Sequence, residues 1–361
     1  MASDGIGSNV PVRARVGAID RPFRPFLRVM LAVATCAILG CDRLPTGPAA
    51  AGGAIRAVTL AEWSADGLAG GGADAALDWI GATGANTVTL IVTAYQADAH
   101  AAALRENDPR TPSPGAVRHA IAHARALGLA VVLKPHVDLD DGAWRGTIAP
   151  ADPGTWFASY RAFVRPWAQL ADSIGSPVFV VGTELAGTLA NAARWRELVR
   201  ETRAVYSGRL TYAASWDEAT RVPFWDALDR IGVDAYFPVT GRRDAGRTEM
   251  LAGWQPWLAR LRTLARQSGK PILLTELGYR SVDGAGMAPF ASSSSGTPDP
   301  GEQADLYWAA LQATSAADEI EGLCWWNCLA NGSGGQTNTD YTPVGKPAAR
   351  VLAAAWATPA P

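Results

Sequence analysis

From Ile55 onward, short β-branched apolar runs alternate with longer stretches whose apolar residues recur at helical spacing. The runs predict strands at Ile55–Leu60, Thr87–Thr93, Ala130–Pro135, Val178–Gly182, Leu210–Ala214, Ile231–Ala235, Ile272–Thr275 and Gly322–Trp326. The intervening stretches predict helices at Ala73–Ala82, Ala116–Leu127, Trp156–Ile174, Ala193–Tyr206, Met250–Gln267 and Glu302–Ala313. Many close on a glycine near the C-cap, as at Gly84, Gly128, Gly175, Gly208 and Gly269. Strand, helix, glycine, strand is the order of a parallel sheet with crossover helices. The fifth crossover is short, with only Phe224–Leu228 available as helix, and the loops after the third and seventh strands are long. Eight units in about 300 residues predict an α/β chain folded as a single (β/α)8 TIM barrel over residues 54–361. A doubly wound open sheet would carry a glycine-rich phosphate loop after its first strand, and Thr59–Gly71 holds neither GxGxxG nor a Walker sequence.

The segment before the first strand has a different pattern. Arg21, Arg24 and Arg28 precede the apolar run Val29–Gly40, which is too short to span a bilayer and fits the core of an export signal. The run ends in Ile38-Leu39-Gly40-Cys41, which resembles the bacterial lipobox, where the cysteine is acylated and becomes the first mature residue. This predicts a lipoprotein signal peptide over 1–40 and lipidation at Cys41, with an ordinary signal cut nearby as the alternative. Residues 41–53, ending in the Pro/Gly/Ala-rich stretch Pro45–Gly53, then form a flexible tether. The expected location is outside the cytoplasm, anchored to the cell envelope by lipid, with no other membrane contact.

Composition adds mainly exclusions. With 48% hydrophobic and 18% charged residues the chain can bury a large core. Its net charge of −2 offers no field for nucleic acid. No zinc-type Cys/His spacing occurs, and the pair His119 and His123 lacks the glutamate of HExxH, so neither metal nor cofactor is expected. Cys324 and Cys328 on one strand would lie about 13 Å apart, which favours two buried thiols unless the chain turns there.

In such a barrel the chemistry belongs at the C-terminal strand ends. The fourth and seventh predicted strands both end in Thr-Glu, at Glu184 and Glu276. Carboxylates at those two tops face each other across the mouth, and a pair about 5 Å apart is what retaining glycoside hydrolysis requires. Other strand ends supply Lys134-Pro-His136-Val-Asp138, Ser215-Trp216-Asp217, Asp234-Ala-Tyr236 and Trp325-Trp326-Asn327. Aromatic faces stack on a pyranose while polar neighbours bind its hydroxyls. The candidate substrate-binding residues are therefore His136, Asp138, Trp216, Asp234, Tyr236, Trp325 and Trp326, together with Trp144 on the loop Asp141–Gly146 above the mouth. Trp79, Trp156, Trp167, Trp195, Trp254, Trp257 and Trp308 fall on helical faces and are expected in the core.

The segments KPHVDLDDGAWRGTI (134–148), VVGTELAG (180–187), GVDAYFPV (232–239), LLTELGYRS (273–281) and DYTPVGKPA (340–348) together resemble glycoside hydrolase family 113, a member of the large clan of retaining (β/α)8 glycosidases. The resemblance spans about residues 55–356. It implies a β-1,4-mannanase acting on mannan and manno-oligosaccharides with retention, with Glu184 as acid/base and Glu276 as nucleophile. It further implies that Tyr236 hydrogen-bonds the nucleophile and that the Trp325-Trp326 pair floors the cleaved-sugar subsite. One departure is Thr183, since most of the clan place an Asn there to bind the 2-hydroxyl. A carbohydrate-binding lipoprotein with a non-catalytic barrel, and a retaining glycosidase of other specificity such as a glucanase, remain as alternatives. The intact Glu pair favours turnover. Endo or exo action depends on whether loops such as Val282–Pro298 close one end of the cleft.

Overall fold

The computed structural model describes residues 54–105, 107–292 and 296–357. The expected signal peptide, Cys41 and the tether lie outside them. Eight parallel strands pair in chain order and β8 returns to β1, closing the predicted barrel: β1 (Ile55–Ala61), β2 (Thr87–Gln96), β3 (Ala130–Leu139), β4 (Val178–Thr183), β5 (Arg209–Ser215), β6 (Ile231–Asp234), β7 (Ile272–Leu277) and β8 (Ile320–Leu329). Around it lie α1 (Gly71–Ala82), α2 (Pro114–Ala126), α3 (Pro153–Ser173), α4 (Ala192–Arg203), α5 (Arg247–Ser268), α6 (Pro300–Ser315) and α7 (Pro347–Ala357).

Local sequence explains where the helices begin and end. α2, α3 and α6 each start with an acceptor side chain followed by proline: Ser113, Asp152 and Asp299 accept backbone N–H bonds of the first turn, and the proline at the next position gives up an N–H that has no helical partner. Gly84, Gly128, Gly175 and Gly269 turn the chain with left-handed φ, as the sequence predicted. Gly208 differs, because α4 has already ended at Arg203; what it requires is space, a Cβ there falling 2.2 Å from the Tyr206 hydroxyl.

All the strands but β6, which stops one residue short at Asp234, run further than the apolar runs suggested. β2, β3 and β8 are ten residues long each. Strand period decides what each position faces. One face of the barrel wall supplies a narrow interior layer of Ala57, Val132, Val178, Val180, Ala213, Leu273 and Cys324; the other packs under the helices with Trp156, Trp195 and Trp254. Trp167 is buried there too, and Trp79, Trp257 and Trp308 pack half-buried against the same core. Cys324 and Cys328 are free, buried thiols.

The helix expected at Phe224–Leu228 does not form. Two single turns, Ala219–Arg221 and Trp225–Ala227, replace it. Aromatic rings do the covering instead: Phe224 stacks on Trp195 of α4 with centroids 5.2 Å apart, and the Trp225 indole donates to the Ala219 carbonyl.

α5 lies so close to the chain after β6 that a Cβ at Gly253 would stand 1.8 Å from the Val239 carbonyl oxygen. Alanine would gain about 1 kcal/mol of helix propensity, but backbone cannot yield to a clash of that depth. Gly253→Ala is expected to destabilise the protein by about 1–3 kcal/mol, read as a lowered denaturation midpoint.

Candidate active site

The mouth of the barrel holds a cleft of about 800 Å³. β3 shows how it is furnished: Val132, Lys134, His136 and Asp138 alternate along its inner face, climbing from the apolar interior to the cleft.

At the floor, the fully buried Lys134 extends its ammonium between two carboxylates. Nζ donates to Glu276 Oε1 at 2.5 Å and to Asp234 Oδ1 at 2.9 Å, and lies 3.4 Å from the Thr275 carbonyl. Asp234 also accepts from the Thr275 hydroxyl at 2.7 Å. The other oxygen of Glu276 accepts from the Tyr236 hydroxyl at 2.6 Å. His136 Nε2 stands 3.6 Å from Oε1, beyond hydrogen-bond length. Burial alone would raise Glu276, but the Lys134 charge and the approach of His136 outweigh it and hold the carboxyl well below the usual range. His136 itself is pushed down to about 4 by burial and by the Arg145 charge, so it is neutral at neutral pH. Asp234, sharing the same ammonium, is pushed up by burial and by the charge on Glu276.

Glu184 has the opposite surroundings. It follows β4 with a left-handed φ of 53°. Its Oε2 accepts from the Trp144 indole at 3.1 Å and lies 3.9 Å from Arg145, whose guanidinium is engaged with Asp138 at 2.5 Å. Burial and the charge of Glu276 raise its pKa, and Arg145 and Trp144 only partly offset them. One carboxyl group of the cleft is thus held ionised while the other is disposed to keep its proton, the division of labour acid–base chemistry needs.

Of the residues nominated from sequence, Glu184, Glu276, Asp138, Trp144, Trp216, Tyr236 and Trp326 line the cleft. His136 and Asp234 do not: at 1% and 0% exposure they lie beneath its surface, against Glu276 and Lys134. Trp325 needs a larger correction. Adjacent strand residues point to opposite faces, so with Trp326 in the cleft, Trp325 faces outward and stacks on Tyr307 of α6 at 3.8 Å. Trp326 lies parallel to His136 with centroids 5.9 Å apart. Trp144 is 48% exposed above the mouth, and Trp216 stacks on Phe290. Thr183 is buried and spends its hydroxyl on the Pro135 carbonyl, so it offers nothing to a ligand in the cleft.

The sequence pattern did not nominate Lys134, Arg145, Trp63, Tyr95, Phe290 or Tyr341. Lys134 carried a usable signal, its alternation with His136 and Asp138. Tyr341 comes from a loop after β8 to meet Tyr236 edge-on at 5.7 Å, an approach that only the fold reveals. His119 and His123, neighbours in the sequence, hydrogen-bond through Nε2 to Asp74 and Asp78 of α1 at 2.9 and 2.8 Å on the barrel's outer surface.

A closed barrel with one carboxyl group held low and another raised in one aromatic-lined cleft fits a (β/α)8 glycosidase. The chain belongs to Glycoside Hydrolase Family 113, matching that family over residues 64–346. Among solved structures, a complex of a family 113 β-1,4-mannanase is similar at 28% identity and a TM-score of 0.78, covering 85% of this chain and 99% of that one. The β-mannanase AaManA from Alicyclobacillus acidocaldarius in complex with ManMIm gives 28% identity and 0.78 over 86% and 99%. A β-glucuronidase from Faecalibacterium prausnitzii, at 11% identity and 0.57 over 84% of this chain and 49% of that one, shares the fold alone. No curated protein sequence matches.

If the Lys134 ammonium is what keeps Glu276 ionised, Lys134→Met should move the Glu276 carboxyl titration upward by at least about one pH unit. Side-chain carboxyl NMR of Glu276 measures this directly. An unchanged midpoint would assign the depression to Tyr236 and His136 instead.

Proposed function

We propose that this chain is a retaining β-1,4-mannanase that hydrolyses mannan and manno-oligosaccharides, with Glu276 as nucleophile and Glu184 as acid/base. The observation that carries this reading is the opposite tuning of two carboxyl groups in a single cleft, within a family that has β-1,4-mannanases among its solved structures. A barrel that only bound sugar would gain nothing from a desolvated acid beside an ionised carboxylate.

In the first step Glu276 attacks the anomeric carbon while Glu184 passes its proton to the departing glycosidic oxygen, leaving a glycosyl ester on Glu276 and a free reducing-end sugar. Lys134 and Tyr236 keep Glu276 aimed and ionised until attack. Glu184, now a carboxylate beside an esterified and uncharged Glu276, has lost one of the causes of its raised pKa. It takes a proton from water as the water opens the ester, and both carboxyl groups return to their starting states with the anomeric configuration retained. Trp326, parallel to His136, supplies an apolar face for the sugar at the reacting centre, and Trp144, Trp216 and Trp63 extend aromatic surface along the cleft.

Two experiments test the mechanism. Fresh product from mannohexaose should appear as the β-anomer by proton NMR; an α-anomer would remove both residue roles, and preference for a glucan over mannan would remove the substrate. Glu276→Ala should lose about three orders of magnitude or more in kcat. With an activated β-mannoside, azide should then return α-mannosyl azide from Glu276→Ala and β-mannosyl azide from Glu184→Ala.

We further propose that the mature protein is exported and held at the cell envelope by lipid on Cys41, with residues 42–53 as tether. The support is the Ile38-Leu39-Gly40-Cys41 sequence after a twelve-residue apolar run. Among the described residues no helix is long and apolar enough to cross a membrane. Cys41→Ala should shift the protein from the membrane to the soluble fraction, and full retention on the membrane would overturn acylation as the anchor.

A further inference from the structure

Linked to the Glu184 backbone, and not lining the cleft, is a carboxyl group that the hydrolytic steps above do not use. Glu218, in the turn after β5, is fully buried. Its Oε1 accepts from the Tyr212 hydroxyl at 2.7 Å, and that hydroxyl accepts in turn from the backbone N–H of Leu185 at 2.7 Å. The chain of bonds therefore ends on the peptide unit that leaves Glu184. On the other side, the Glu184 N–H donates to the Ala213 carbonyl at 2.8 Å. Glu184 has a φ of 53°, a conformation that costs a non-glycine residue free energy and persists only where its surroundings impose it. Neighbouring residues of β5, Ala213 directly and Tyr212 with Glu218 behind it, grip the backbone on both sides of that one residue.

We propose that Glu218 is a positioning residue for this enzyme: acting through Tyr212, it fixes the left-handed backbone that aims the Glu184 carboxyl into the cleft. This rests on the assignment of Glu184 as acid/base. Among the described residues, the titratable groups that act most on Glu218 are Tyr212 from β5, Glu184 from the end of β4, and Arg221 from its own turn, the last also 4.0 Å from Asp217. Tyr160 of α3 acts on Tyr212. The rings of Trp195, Phe224 and Trp225 around Tyr212 complete the enclosure. Burial pushes the Glu218 carboxyl up to about 7, against the Tyr212 hydrogen bond that favours its ionised form.

The test uses the whole enzyme and three variants, with thermal unfolding as the check on folding. Glu218→Leu removes the oxygen that accepts from Tyr212 while Glu218→Gln keeps one, so Glu218→Leu should lower kcat/KM on mannohexaose about tenfold and Glu218→Gln should restore most of it. Tyr212→Phe removes the link to Leu185. It should lower kcat/KM about tenfold or more on mannohexaose, yet much less on a dinitrophenyl β-mannoside, whose leaving group departs without a proton. A merely structural role would lower both substrates together and leave Glu218→Gln no better than Glu218→Leu, and either result in folded variants would overturn the proposal. Should Glu218→Leu fail to fold, the substrate contrast in Tyr212→Phe decides alone. Glu184→Gln is the control for the underlying assignment: if it too shows no relief on the activated substrate, the acid/base role fails, independently of the Glu218 link.

Discussion

The Lys134 ammonium, buried between Glu276 and Asp234, is the interaction on which the rest of the site depends. A carboxylate enclosed in the mouth of an apolar barrel would ordinarily take up a proton. Lys134 reverses that tendency, and because it comes from β3 while its partners come from β6 and β7, it does so by tying three strands across the barrel interior. The energetics allow this only because each partner has other bonds: Tyr236 on Glu276, and Thr275 on Asp234. A compact ammonium suits this position, donating as a point charge to two carboxylates where a planar guanidinium would demand a bidentate partner. The chain carries 29 arginines and three lysines, and one of those three occupies this point.

Strand period then determines which chemistry reaches the cleft. β3 delivers Lys134, His136 and Asp138 to one face because they are spaced by two, and the same rule separates Trp326 from Trp325. Where the ladder would place a functional residue wrongly, its register shifts. β4–β5 slips between Val180 and Thr183, just before Glu184, and β6–β7 slips between Val233 and Asp234, where Asp234 meets Glu276. Irregular pairing of this kind re-aims side chains next to active sites. Here it lies beside both carboxyl groups.

Barrel class, strand order and the two glutamates were legible in the sequence because they depend on local pattern: apolar runs, helix-closing glycines, and Thr-Glu at two strand ends. The fifth crossover was legible as short but not as non-helical, since what fills the space is Phe224 against Trp195, a contact between distant residues. Lys134 was obscured for a related reason. A lysine inside a barrel is rarely expected, and its acceptability rests on Asp234 and Glu276, 100 and 142 residues further along the chain. His136 and Asp234 stood at legible strand ends, but how deep each side chain lies is set by the stagger of neighbouring strands, which no single strand encodes.

The two Thr-Glu sequences show most clearly that environment, not residue type, sets the protonation tendency of each glutamate. Glu276 lies within β7, with a lysine below it and a tyrosine beside it. Glu184 lies one residue past β4, turned by a left-handed φ toward Trp144 and Arg145. Their threonines diverge as well: Thr275 bonds the Asp234 carboxylate and so helps hold the partner of Lys134, whereas Thr183 bonds the Pro135 carbonyl and ties β4 to β3. Identical dipeptides therefore end in opposite protonation tendencies. The ionised one raises the other, because the charge on Glu276 is itself among the causes that push Glu184 upward. With the roles proposed above, the acid is in this sense a product of the nucleophile. Esterification of Glu276 would remove that charge at the moment when Glu184 must change from proton donor to proton acceptor, so the proposed reaction would itself retune the second carboxyl group.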